Sequence, residues 1–111
     1  MKRLCSLSEI PQAGAKGMEL DGYSYILLRH AGRIKVYVNR CPHAGINLEW
    51  QPDEFFDRDG YFLQCATHGA LFRPEDGTCV RGPCAGDALQ SVNWEVRDGE
   101  LFIQESRGIA R

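Results

Sequence analysis

Apolar and polar positions alternate most clearly over residues 33–39, where Ile34, Val36 and Val38 fall on one side and Lys35 and Tyr37 on the other. That period of two is the pattern of a β-strand. The β-rich run 23–29 precedes it, and Ala31-Gly32 between the two reads as a tight hairpin turn. A second pair of strands is predicted over residues 91–97 and 100–104. It flanks Asp98-Gly99, a dipeptide that accepts the positive φ angles of a two-residue type I′ turn. Val92, Trp94 and Val96 are expected to share one face. Short apolar pieces at 61–65 and 70–72 sit among Gly, Pro, Cys and His, and Gln51-Pro52-Asp53-Glu54 is read as the opening of one helical turn, because Pro is tolerated at a first helical position. The end, residues 107–111, is expected to fray.

Short strands punctuated by turn residues, with no long helix, predict an all-β antiparallel sandwich or barrel. Residues 40–87 differ in texture and read as a site mounted on that scaffold. With 111 residues, 43% apolar and 25% charged, the chain is expected to form one globular domain over residues 1–111. No run of eighteen apolar residues is present, so no membrane span is expected. The start Met1-Lys2-Arg3-Leu4-Cys5-Ser6 lacks the apolar stretch of a secretory leader, and the expected compartment is the cytoplasm. Basic residues never cluster beyond Lys2-Arg3, which argues against nucleic-acid binding and polybasic membrane attachment. The net charge of −2 is uneven: eight carboxylates between Cys41 and Asp87 face three bases. No heptad pattern asks for a dimer, and a monomer is expected.

Chemistry concentrates in two similar loops, Cys41-Pro42-His43-Ala44-Gly45 and Cys65-Ala66-Thr67-His68-Gly69. Each offers one thiolate and one imidazole, followed by a glycine where backbone must turn closely around a bound group. Cys41, His43, Cys65 and His68 together make a Cys₂His₂ donor set. Two inorganic centres fit it. A tetrahedral zinc accepts two sulfurs and two nitrogens, which would make a zinc-binding interaction module. A 2Fe-2S cluster with two Cys on one iron and two His on the other uses the same four donors. No nucleotide-binding Gly-rich loop, mononuclear iron triad or hydrolytic triad is evident. Asp53 and Glu54 read as solvated neighbours in a turn rather than an acid–base pair.

The order Cys41-x-His43, then Cys65-x-x-His68-Gly69-Ala70-x-Phe72, then Gly77 and Gly82-Pro83-Cys84 with Leu89 beyond, resembles the Rieske 2Fe-2S proteins. The similarity to the small soluble Rieske-type ferredoxins runs over essentially the whole chain. It implies one Rieske cluster per chain, with Cys41 and Cys65 on an inner iron, His43 and His68 on an outer iron, and a covering loop around Gly82-Pro83. It also implies a Rieske fold, in which a small cluster-binding subdomain of about residues 40–87 is inserted in the β scaffold. The implied function is a ferredoxin component passing single electrons from a reductase to a terminal oxygenase or other redox partner, without catalysis of its own. The alternative within the resemblance is the small Rieske-like subunit of an assimilatory nitrite reductase. High-potential members carry a disulfide-forming Cys in each ligand loop and hydroxyl donors to the cluster. Here Ile46 and Thr67 stand at the former positions and Ala70 and Phe72 at the latter, so a low potential is expected. The 21 residues between His43 and Cys65 form a longer spacer than is usual in such ferredoxins.

The remaining candidates have simpler readings. His30, beside a turn and with no neighbouring Cys, reads as a surface histidine. Cys79 and Cys84 read as buried thiols rather than a disulfide in a reducing compartment, and Cys5 as a packing residue. Trp50, Phe55 and Phe56 are better core fillers than a docking patch.

Overall fold

A computed structural model describes residues 1–12, 14–40, 48, 55–57, 60–65, 69–82 and 86–104. The proposed helical turn at 51–54 and the end of the chain lie outside those residues. Nine antiparallel strands are described: β1 Lys2–Ser6, β2 Ala15–Leu20, β3 Tyr23–His30, β4 Arg33–Val38, β5 Leu63–Gln64, β6 Leu71–Phe72, β7 Cys79–Arg81, β8 Trp94–Arg97 and β9 Glu100–Ile103. They form three three-stranded sheets, ordered β1-β9-β8, β2-β3-β4 and β5-β6-β7. The all-β reading holds; the described residues add only a 3₁₀ turn, Leu7–Glu9, capped by Ser6 and Glu9.

Both expected hairpins are present. Ala31 and Gly32 have φ of 51° and 77°, and Asp98 and Gly99 have 50° and 75°, as a type I′ turn requires. Asp21 and Gly22, at 53° and 84°, join β2 to β3 in the same way. The predicted strand over 91–97 starts later than expected. Residues 90–92 run along β4, with Val92 N donating to Val36 O and Val38 N donating to Gln90 O, each at 2.9 Å. Only from Trp94 does the chain pair with β9, so it passes from one sheet to the other at Asn93.

The β3–β4 hairpin is buried on both faces, which is why Tyr25-Ile26-Leu27-Leu28 reads as a continuous apolar run. Tyr25, Leu27, Val36 and Val38 face a core shared with Cys5, Leu101 and Ile103 of the β1-β9-β8 sheet. Ile26, Leu28 and Tyr37 face a second core built from Phe55, Leu63, Cys65, Ala70, Phe72 and Cys79. One hairpin therefore joins the scaffold to the sheet that carries the site.

Tyr37 fastens this junction. Its buried hydroxyl donates to Pro74 O in the β6–β7 turn at 2.7 Å. Gly77 of that turn, at φ 78°, lies so close that a Cβ there would sit 2.9 Å from Tyr37 Cε1. Burial, and then the nearby Asp76 and Glu75 charges, push the Tyr37 phenol well above its usual pKa of 10. An unfolded chain ionises this phenol near pH 10 while the folded chain keeps it protonated. Its contribution is thus intact below pH 10 and is lost as pH rises toward the folded value. Tyr37→Phe is expected to lose about 1 kcal/mol at neutral pH. Its stability should then fall less steeply than that of the parent above pH 10, by up to about 1.4 kcal/mol per pH unit. Urea melts of the two proteins at pH 7 to 11 check both effects.

Candidate cluster-binding site

Cys65 follows directly on β5 and is fully buried, at 0% exposure. Its N–H donates to Ala70 O at 2.9 Å, and its carbonyl accepts from Gly69 N at 2.8 Å. These two bonds close the loop that begins at Cys65, and Gly69 supplies the left-handed backbone, φ 68°, that lets it turn back into β6. His68 lies within that loop but outside the described residues.

Cys41 and His43 also lie outside the described residues, and Asn39, two residues before Cys41, is described. Asn39 is 3% exposed. Its N–H donates to Ser24 O at 2.9 Å and its Nδ2 to Ser24 Oγ at 3.0 Å. Its Oδ1 accepts from Leu48 N, also at 2.9 Å. One buried amide thus anchors both the approach to Cys41 and the exit from the following segment to β3. Nothing in the pattern of the sequence singled Asn39 out; the only signal is a polar residue ending an apolar strand. Asn39→Ala, which leaves the buried Leu48 N–H without this acceptor, is expected to cost about 1–3 kcal/mol, measured by thermal melting.

Gly82, directly after β7, meets the residues that follow Cys65 at Ala70. With φ 102°, Gly82 packs on Ala70 so tightly that a Cβ would fall 2.9 Å from Ala70 Cα. Pro83 and Cys84 lie outside the described residues. Cys79, at the start of β7, is buried, and its Sγ donates to Arg81 O at 3.3 Å as a thiol does. Ala70 and Phe72 are fully buried; neither side chain carries a hydroxyl.

Within the long spacer, residues 55–57 pair with residues 62–64. Phe56 bridges Leu63, Gln64 N donates to Phe55 O at 2.7 Å, and the Asp57 carboxylate accepts from Tyr61 N and Phe62 N at the bend. Phe55 is buried in the site-side core with Phe56 packed against it, the packing reading of these aromatics; Trp50 lies outside the described residues. His30 is half-buried at the end of β3, paired with Arg33 across the turn. Cys5 is buried in the scaffold core.

A family model, the Rieske [2Fe-2S] domain, matches residues 1–100. The chain belongs to the Rieske [2Fe-2S] domain family. A Rieske domain carries a 2Fe-2S cluster held by Cys and His. A buried Cys65 in a loop closed by its own backbone, with Gly82 packed tightly on Ala70 beside it, fits such a group.

This Rieske domain is 24% identical over 100 residues to the ferredoxin component of the alkene monooxygenase system of Xanthobacter autotrophicus, covering 90% of the chain and 77% of that protein. It is 30% identical over 67 residues to the iron-sulfur subunit of menaquinol:cytochrome c reductase of Geobacillus thermodenitrificans. That match covers 60% of the chain, which spans only 37% of the subunit. Among solved structures, the ferredoxin of Sphingomonas yanoikuyae B1 superposes with a TM-score of 0.72 at 20% identity, covering 93% of this chain and 96% of that one. The Rieske fold expected from the sequence is therefore present.

Proposed function

We propose that this chain is a one-electron carrier, a low-potential Rieske ferredoxin that accepts electrons from a reductase and delivers them to a terminal oxygenase. The observation that carries the reading is the Rieske match to residues 1–100, which devotes most of the chain to mounting one cluster. Its resemblance over 77% of an oxygenase-system ferredoxin supports the choice of partners. In this reading residues 1–111 act as one domain with the cluster region at about 40–87. Cys41 and Cys65 hold one iron, and His43 and His68 the other. The cluster supplies reversible one-electron transfer between a neutral oxidised and a singly negative reduced state. The chain positions the ligands, shields the cluster and sets its potential. Buried Ala70 and Phe72 offer no hydroxyl to stabilise the added charge. Among the described residues no helix is long and apolar enough to cross a membrane, and we place the protein in the cytoplasm as a monomer.

Anaerobically purified protein is expected to hold two irons and two acid-labile sulfides. Dithionite should produce a Rieske-type electron paramagnetic resonance signal with a midpoint near about −150 mV. Zinc without sulfide would overturn the carrier reading. A midpoint above zero would overturn the low-potential assignment and turn attention to quinol oxidation.

A further inference from the structure

The β3–β4 hairpin leaves a groove of about 610 Å³ outside the segment 40–87. It exists because two strands part company. Residues 90–92 lie against the outer edge of β4, through Val92 N to Val36 O, Val38 N to Gln90 O and the Tyr37–Ser91 bridge. The chain then turns away to join β9, so the edge of β4 at Arg33–Lys35 and the edge of β8 at Trp94–Val96 diverge. In an antiparallel ladder every second residue directs its N–H and C=O to the same side. Ile34, two residues before Val36, therefore offers both groups to the outer edge, and no described residue bonds them there.

The lining combines apolar surface and positive charge. Ile34, Val92, Trp94 and Val96 line it, with Trp94 38% and Val96 42% exposed. Arg29, Arg33 and Lys35 line it too. Among the described residues no carboxylate lies within ion-pair distance of these three cations. Arg29 Nη2 donates to Leu7 O at 3.2 Å, while its Nε is buried and unbonded.

We propose that this groove receives an extended acidic segment of a partner protein, which adds a strand to the free edge of β4. An open strand edge supplies main-chain hydrogen bonds, and alternate side chains of an added strand would reach the apolar lining on one side only. Three cations that no described carboxylate pairs directly, with Asp76 acting on Lys35 only through its charge, select for negative charge on the incoming segment. They select against a second copy pairing antiparallel through the same edge around Ile34, because Arg33 of each copy would then meet Lys35 of the other. No described residue of the segment 40–87 lines the groove, so the inference does not rest on the electron-transfer reading.

Eight-residue capped peptides, one alternating Glu with Val and one alternating Lys with Val, test this against ¹⁵N-labelled holoprotein by nuclear magnetic resonance titration. The Glu–Val peptide should shift the Ile34 amide and the Trp94 signals. N-methylating its alternate amides should weaken binding at least tenfold, as should the Arg33→Glu/Lys35→Glu double variant. If the double variant does not fold, Trp94→Ala, at a half-exposed position, should give the same weakening. No shift at millimolar peptide, equal binding of the Lys–Val peptide, or shifts confined to other surfaces would overturn the proposal. So would concentration-dependent dimerisation that moves the same signals, which would make a second copy the occupant.

Discussion

His43→Ala and His68→Ala proteins are expected to purify without the Rieske signal, whereas His30→Ala keeps it with unchanged iron and sulfide content. All three histidines are the same chemical group, so the contrast tests position alone. His30 ends β3 beside the Ala31-Gly32 turn, at the end of the hairpin opposite Asn39 and the Cys41 loop. Removing a proposed imidazole ligand leaves an iron short of a donor, and no methyl group can replace it. Because metal binding is coupled to folding, the ligand variants should also melt earlier. The loss should centre on the site-side core around Phe55, Leu63 and Phe72 rather than on the core around Leu101 and Ile103. Iron and sulfide analysis with reduced-state electron paramagnetic resonance reads the cluster, and near-ultraviolet circular dichroism reads the packing. An unchanged cluster in either ligand variant would contradict the assignment of that histidine.

Gly82→Ala is expected to be the most damaging single methyl addition among the described glycines of the site. Two costs combine. The positive φ of 102° strains any L-residue, and the new Cβ meets Ala70 Cα at 2.9 Å, a backbone atom that cannot swing aside. Strain of about 1–2 kcal/mol and overpacking of about 1–3 kcal/mol act together. Ala70, just before β6, and Gly82, just after β7, must separate to relieve the contact. Visible absorbance should then bleach several-fold faster under chelator challenge. Gly60→Ala is the control: it has a comparable positive φ of 75° but open space around it, so only the strain term applies. Equal bleaching rates for the two variants would show that the Gly82–Ala70 contact does not seal the site.

The sequence conveyed the chemistry better than the architecture. Four donor residues of two types, placed in matching loops, restrict the possibilities sharply because few centres use that mixture. The two hairpins were legible because their turn residues carry a backbone requirement of their own. Asp21-Gly22 offers the same signal, but β2 before it, with Gly17 inside and little alternation, does not read as a strand without its partner β3. The start of β8 was misplaced for a related reason. Residues 90–92 are as extended as a strand, yet they pair with β4, and no local pattern reveals which of two sheets an extended segment joins. Asn39 was missed because its role is to bond groups brought near it by the fold, Ser24 and Leu48. The pairing of 55–57 with 62–64 was likewise hidden, since it depends on Asp57 reaching Tyr61 and Phe62.

The doubly buried run Tyr25-Ile26-Leu27-Leu28 makes a single strand the party wall between two neighbours. Tolerance to substitution along it should follow parity rather than hydrophobicity. A cavity opened at Ile26 or Leu28 faces the residues around Cys65, while one opened at Tyr25 or Leu27 faces the scaffold. Four consecutive apolar residues thus divide, by alternation alone, into two that can disturb the redox end of the molecule and two that act chiefly on its lifetime as a folded protein.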